Sequence, residues 1–214
     1  KAKSTIDSYT WENVVNSNLE FFNKLQINEN VKNSLVGVVT SWNQKCGIFN
    51  YSKNLLNDFY NQVIIFGPND QCLVKKDESF VNRCWFYEEN ELTNLIHHII
   101  QSGLTTLVIQ FNFGFYNLKA LSCLIKELKV RGISIIIIFH ATKSPVNNIS
   151  KDLKLLVQEL SLCDRLLVHS PNDLNNLKAL GLVNNVSLFP HGVNHSGLLN
   201  KEIFAQSPAL SNKK

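Results

Sequence analysis

The sequence predicts an α/β domain with a doubly wound, mostly parallel sheet, and three observations support that prediction. Short apolar segments rich in β-branched residues alternate with amphipathic helical segments over six or seven units. The apolar segments lack the polar alternation of a half-exposed strand, which is typical of strands buried on both faces. The helical segments begin at capping residues and several end at glycine. Such strands need helices on both faces of one sheet.

Seven segments have the length and composition of strands. They are residues 35–39, 62–66, 83–87, 105–109, 133–139, 165–168 and 186–189. The segment 133–139 is apolar on both faces, so we expect it to lie at the centre of the sheet.

Helices are predicted between the strands, where apolar residues recur at helical spacing. They cover residues 47–60, 90–103, 117–132, 150–160 and 170–181. The predicted capping residues are Asn90, Asn117, Ser150 and Ser170, and Pro171 suits the first helical position after its cap.

The two ends of the chain depart from this alternation. Apolar residues at helical spacing over 9–25, after a potential cap at Thr10, predict an amphipathic helix, so residues 1–32 are interpreted as a helix and linker. Residues 33–195 form the predicted domain, and the polar segment 196–214 is a linker or tail. The chain starts at Lys1 and contains 0 Met, so we expect it to be part of a longer or processed protein.

The composition excludes several classes of protein. Apolar residues make up 44% and charged residues 18% of the chain, as in globular proteins. The formal charge is +4 with the basic residues scattered, so no nucleic-acid partner is predicted. No apolar stretch is long enough to span a membrane, and no signal peptide is present. The five cysteines form no C-x-x-C pair, which favours a cytoplasmic protein with reduced thiols and no metal site.

Polar residues gather where the predicted strands end, which is the edge at which parallel sheets bind ligands. His140, His169 and His191 each follow a different strand. An imidazole at the position of His140 can donate to a substrate hydroxyl or polarise a phosphate. In the structural alternative, its hydrogen bonds are made to a loop that covers it. His169 is interpreted as structural, and His191 as part of a chain reversal before a following segment.

Two further features of this edge have a functional and a structural interpretation. Gly47 begins a helix after a strand, so the free N–H groups there can hold a phosphate, or the glycine serves a tight turn. The aromatic run at residues 111–116 can stack on a sugar or fill the core. The motifs G-x-G-x-x-G, G-x-x-x-x-G-K-S/T and G-x-S-x-G are absent, which disfavours dinucleotide-binding, P-loop and hydrolase functions.

Five segments, in this order, resemble the N-terminal half of family 4 glycosyltransferases, which have the GT-B fold of two Rossmann-like domains facing a cleft. They are residues 41–48 (SWNQKCGI), 110–116 (QFNFGFY), 139–140 (FH), 163–170 (CDRLLVHS) and 190–194 (PHGVN). The resemblance covers residues 33–194. It implies a retaining, metal-independent transfer of a sugar from a nucleotide-sugar donor to a glycan or lipid-linked acceptor, without a cofactor.

The resemblance also implies roles for individual residues. His140 would lie beside the transferred sugar as the catalytic residue, and Cys46 and Gly47 would approach the donor diphosphate. The implied acceptor-binding residues are Trp42, Lys45, Asn112, Phe113 and Tyr116, and the other implied cleft residues are Ser170 and His191. Asn194 stands where the family often has Asp, which leaves the role of a carboxylate there in doubt.

In this family a second, C-terminal domain holds most of the nucleotide, and it is missing from these residues. We therefore expect the isolated chain to be inactive. Peripheral membrane association of the full-length protein is left open. The helix at 9–25 resembles the closing helix of a family member, so it belongs either to a preceding unit or to this domain's own surface.

Two alternatives come from other functional classes. One is a Rossmann-like binding or interaction module without catalysis. The other is a flavodoxin-like receiver or nucleotide-binding domain, although Ser41 and Trp42 stand where a receiver has paired acids.

Overall fold

A single parallel sheet forms the centre of the protein. The computed structural model describes residues 35–59, 62–70 and 72–192, together with residues 10, 12, 13, 15 and 16. The strands are β1 (Val36–Val39), β2 (Val63–Pro68), β3 (Val81–Trp85), β4 (Thr106–Phe111), β5 (Ser134–Phe139), β6 (Arg165–Val168) and β7 (Val186–Leu188). Their order is β3-β2-β1-β4-β5-β6-β7, and every neighbouring pair is parallel. The predicted doubly wound, Rossmann-like fold is confirmed.

Helices connect successive strands across the faces of this sheet, except between β2 and β3, where the described residues contain no helix. They are α1 (Gly47–Leu56), α2 (Thr93–Gln101), α3 (Leu118–Val130), α4 (Val157–Leu162) and α5 (Pro171–Ala179). Two short 3₁₀ turns, Ile149–Lys151 and Leu153–Leu156, precede α4. Each helix predicted between the strands is present but shorter than its apolar pattern suggested.

Of the four caps predicted for the helices between the strands, two are confirmed and two are wrong. The Asn117 side chain accepts hydrogen bonds from the first turn of α3, and Ser170 accepts one from Asp173 in α5. Asn90 does not cap α2, because Leu92 occupies that position and the Asn90 side chain instead accepts from Asn117.

Ser150 is not a helix cap either. It lies within the first 3₁₀ turn, and the Asp152 carboxylate accepts from Lys154 N at the start of the second. In this segment the chain forms two short 3₁₀ turns before α4 begins. Ser150 therefore does not directly precede an α-helix that it could cap.

The two faces of the sheet are covered by different helices. Ile135, Ile137 and Phe139 of β5 join the core cluster that includes residues of α2, α3, α4 and α5. The alternate residues Ile136 and Ile138 pack on the opposite face in a cluster with α1. Burial on both faces explains why β5 is apolar throughout.

The ends of the chain lie largely outside the described residues. Residues 12–13 and 15–16 are helical, and Asn13 N donates to the Thr10 hydroxyl at 3.2 Å, as a cap at Thr10 predicts. The rest of the predicted helix at 9–25 and the tail at 196–214 cannot be compared. None of the described helices combines the length and apolar character that a membrane span requires.

Gly37 in β1 marks the closest packing at the middle of the sheet. A Cβ atom at this position would lie 2.8 Å from Cε2 of Phe66 and closer still to Leu104. Both neighbours belong to the buried core, so neither can move away freely.

We predict that Gly37→Ala lowers the free energy of unfolding by about 1–3 kcal/mol, because the added methyl overpacks the core. Urea unfolding followed by circular dichroism measures the effect. Gly47→Ala is the matched control, since no atom lies within 4 Å of its added Cβ. Equal unfolding midpoints for the two variants would contradict the predicted clash.

Candidate functional site

The loop between β1 and α1 is fixed by the guanidinium of Arg83 in β3. Arg83 donates to the carbonyl oxygens of Trp42 and Pro68, each at 2.7 Å, and to the Asp77 carboxylate at 2.8 Å. One side chain therefore joins the loop before α1 to the end of β2 and the connection after it. This contact holds the start of α1 at the carboxyl edge of the sheet.

Two carboxylates complete the attachment of this loop. The Trp42 indole N–H donates to Glu78 at 2.9 Å, and the Asn43 amide donates to Asp77 at 2.9 Å and Glu78 at 3.0 Å. The hydrogen bond from Arg83 lowers the pKa of Asp77, although burial partly offsets it. Burial raises the pKa of Glu78, but hydrogen bonds from Lys75, Trp42 and Asn43 outweigh it and lower that pKa to about 2.

The first turn of α1 is open toward the sheet edge. Cys46 is the N-cap residue, and its side chain makes no capping hydrogen bond. Gly47 is exposed, and no atom lies within 4 Å of the position of a Cβ there. Uncapped N–H groups and the positive end of the helix dipole make such a terminus favourable to an anion.

Three histidines meet at the carboxyl ends of the neighbouring strands β5, β6 and β7. His140 directly follows β5 and His169 directly follows β6, whereas His191 lies in the turn after β7. One ring nitrogen from each lies within 4.8 Å of the others. The rings of His169 and His191 are stacked, with centroids 3.7 Å apart, and His140 lies 5.1 Å from His169.

Hydrogen bonds fix the ring orientation of the two inner histidines. His140 Nε2 lies 2.6 Å from the Gln110 Oε1 atom, and His169 Nδ1 lies 2.8 Å from the Phe189 carbonyl oxygen. Because both oxygens can only accept, the imidazoles donate from these nitrogens. The lone pairs therefore lie on His140 Nδ1 and His169 Nε2.

Two polar atoms at this cluster lack a hydrogen bond. His169 Nε2 and the Gln110 Nε2 are buried and have no partner among the described residues. Buried polar atoms are normally satisfied, and the exceptions need an explanation.

Tyr51 of α1 packs against all three histidines. Its ring centroid lies 4.9 Å from His140, 5.1 Å from His169 and 5.3 Å from His191, in edge contacts. Burial raises the pKa of Tyr51. Burial also lowers the pKa of His140 to about 3 and that of His169 to about 4, and it lowers the pKa of His191. All three imidazoles are therefore neutral at pH 7.

A pocket of about 700 Å³ joins the start of α1 to the histidines. Residues from four connections line it: Cys46, Gly47, Ile48, Tyr51, Asn54, Asn112, Phe115, His140, His191 and Gly192. Ligands of parallel sheets bind at this edge. The lining offers N–H groups, two side-chain amides, a thiol and neutral imidazoles, a set that suits a small polar ligand.

The structure brings together five of the residues predicted from the sequence. Cys46, Gly47, Asn112, His140 and His191 all line the pocket.

Three aromatic residues predicted to bind an acceptor lie in the core instead. Trp42 and Tyr116 are 1% exposed and Phe113 is 6% exposed. Their polar atoms are engaged inside the protein, since Trp42 donates to Glu78 and the Tyr116 hydroxyl donates to the Gln110 carbonyl. These side chains have almost no exposed surface, and their role in binding an acceptor stays a prediction.

Two other predicted residues lie outside the pocket lining. Lys45 is exposed on the loop before α1 but does not line the pocket. The Ser170 hydroxyl donates to the Asp173 carboxylate at 2.5 Å and accepts from Asp173 N at 3.2 Å. Its hydrogen bonds are used to begin α5.

The sequence did not predict the contribution of Tyr51 or the convergence of His169 with the other two histidines. Each histidine was recognised at a strand end, but only the order of β5, β6 and β7 in the sheet makes those ends neighbours.

Compared with known proteins, the sequence matches no protein-family model and no curated protein at a significant level.

We predict that Glu78 makes the fold sensitive to acid. Its pKa is lowered to about 2 in the folded protein from an ordinary value of 4.5. The stabilisation is therefore complete above pH 4.5 and is lost as the pH falls toward 2. Chemical unfolding at a series of pH values should show a smaller loss of stability below pH 4.5 for Glu78→Gln than for the wild type.

The control is Glu127→Gln. This substitution removes an exposed carboxylate of α3 whose oxygen lies 3.3 Å from a guanidinium nitrogen of Arg131. We expect its pH profile to follow the wild type, because exposed pairs contribute little. A Glu78→Gln profile parallel to that of the wild type would show that this carboxylate has no such role.

Proposed function

We propose that this chain is the acceptor-side domain of a retaining, metal-independent glycosyltransferase of the GT-B type. The enzyme would transfer a hexosyl group from a nucleotide-sugar donor to a glycan or lipid-linked acceptor. The observation that carries the proposal is the pocket that joins the exposed start of α1, at Gly47, to His140. The motif resemblance described above supports the same assignment.

Gly47 suits the proposed contact with the donor diphosphate. The absence of a side chain lets a phosphate approach the N–H groups of the first turn. The helix dipole adds a favourable interaction with the negative charge. Lys45 is exposed, lies close to Gly47 in the sequence and adds a positive charge to the same loop.

Asn112 and His140 suit the proposed contacts with sugar hydroxyls. Asn112 Oδ1 accepts from Gly114 N at 3.0 Å, so its amide Nδ2 is the group that can donate to a ligand. His140 Nδ1 carries a lone pair, because Nε2 donates to Gln110. A neutral imidazole can accept from a sugar hydroxyl and orient it, but it contributes no positive charge to a transition state.

The remaining parts of the proposal concern the whole enzyme. In the proposed arrangement a second domain closes over the pocket and supplies most of the nucleotide contacts, so the 214-residue chain alone does not transfer sugar. The five cysteines are free thiols, which favours the cytoplasm as the location of the enzyme.

We predict that nucleoside diphosphate sugars shift the amide resonances of Gly47 and Ile48 in the ¹⁵N-labelled chain. Gly47→Val should weaken this binding about 10-fold or more, which corresponds to about 1.4 kcal/mol, because the side chain blocks the first turn. Thr93→Val is the matched control, since Thr93 is the exposed first residue of α2. Shifts that are absent for UDP-, GDP- and ADP-sugars, or that persist in Gly47→Val, would contradict the proposed diphosphate site.

We also predict that His140→Ala slows sugar transfer by the full-length protein about 100-fold or more, because the reacting sugar loses its orientation. Radiolabelled transfer to an acceptor mixture measures the rate, and His97→Ala, at an exposed position in α2, is the control. Near-normal transfer by His140→Ala would remove that residue from the mechanism. Donor binding by the full-length protein without transfer would favour the binding-module alternative.

A further inference from the structure

We infer that His140, His169 and His191 form a binding site for a divalent transition-metal ion of the zinc class. The inference goes beyond the proposed function, which involves no metal, and it does not depend on sugar transfer. It rests on the position of the ring nitrogens, on their hydrogen-bond partners and on the kinds of donor present.

The ring nitrogens are close enough to share one ion. One nitrogen of each ring lies within 4.8 Å of one nitrogen of each of the other two rings. A tetrahedral zinc site with bonds of about 2.0–2.1 Å places its ligand nitrogens about 3.4 Å apart. Because the rings of His169 and His191 are stacked, His191 must rotate out of the stack to direct a ring nitrogen at a shared ion. His191 is exposed in the turn after β7, so it has room for this rotation.

The partners of the inner histidines match those of metal ligands. A ligating histidine usually donates its second ring N–H to a carbonyl or carboxylate, which fixes the ring and increases its basicity. His169 donates to the Phe189 carbonyl and His140 donates to the Gln110 side chain. The lone pair of His169 Nε2 is then buried without any partner among the described residues. An ion held between the rings would satisfy it.

The donor set selects the class of ion. Among the described residues the cluster consists of three imidazoles, with no carboxylate among its potential ligands. Imidazole suits zinc, copper, iron and nickel, whereas magnesium and calcium require oxygen ligands. Tyr51 packs against all three rings in edge contacts and adds no charged group to the cluster.

The site has the form of an open metal centre. His140 and His191 line the pocket, so a fourth coordination position would face its interior. Three protein ligands with one open position are typical of zinc sites that bind a water or a substrate. The ion would engage His140 Nδ1, the atom that the proposed function assigns to a sugar hydroxyl. Metal binding and that contact would therefore exclude each other.

The test uses the full 214-residue chain, free of any histidine tag and treated with a chelator. We expect isothermal titration to show one Zn²⁺ bound per chain, and Co²⁺ to give the visible absorption of a tetrahedral nitrogen-ligated ion. His169→Gln and His191→Gln should each weaken Zn²⁺ binding at least 10-fold, since even the loss of an outer-shell partner costs about 10–100-fold. Mg²⁺ and Ca²⁺ should not bind.

His97→Gln is the matched control, because His97 is exposed in α2 and outside the cluster. Circular dichroism verifies the fold of each variant, and His191→Gln decides the question if the buried His169→Gln unfolds. Absence of Zn²⁺ binding to the wild type, or equal affinity in His191→Gln and His97→Gln, would overturn the inference. So would a thiolate-to-cobalt charge-transfer band that is lost in Cys46→Ser, because the ion would then be held by a cysteine.

Discussion

All seven strands of the sheet run in the same direction, and the rest of the structure depends on this constraint. It places every connection that follows a strand at one edge, so residues distant in sequence become neighbours there. Adjacent strands lie about 4.8 Å apart, and consecutive strand ends therefore present side chains within contact distance. His140, His169 and His191 meet for this reason, since β5, β6 and β7 are adjacent. No local motif is needed to assemble the cluster.

The loop before α1 shows how one cation can organise a connection between strands. Arg83 binds the Trp42 carbonyl, and the carboxylates of Asp77 and Glu78 accept from the Asn43 amide and the Trp42 indole, which is directed into the protein. Charge-assisted hydrogen bonds of this kind are stronger than neutral ones, so the loop has a defined conformation. The start of α1 is held in place by these contacts, while its own first turn is left open to the pocket.

The sequence predicted the strands and most helices because burial on both faces produces uninterrupted apolar segments, as in β5. The predictions from sequence were wrong where two residues had similar local preferences and tertiary contacts decided between them. Asn90 and Asn117 are both capping residues, but only Asn117 caps a helix, and Asn90 accepts its side-chain hydrogen bond. Aromatic side chains near the pocket can contact a ligand or pack in the core. Burying their large area favours the core, and the Tyr116 side chain can be buried because its hydroxyl has a hydrogen-bond partner there. The histidine cluster depends on strand order, which apolar patterns do not encode.

The unpaired nitrogen of His169 has a consequence for the amount of protein that a cell can maintain. A buried polar atom without a partner costs about 1–3 kcal/mol, a large part of the 5–15 kcal/mol by which domains are stable. This cost falls on the histidine cluster beside the pocket. A ligand that satisfies this atom and binds only the folded protein multiplies the folding equilibrium constant by one plus the ratio of its concentration to its dissociation constant. Abundance of the protein would then follow the supply of that ligand, through degradation of the unligated form.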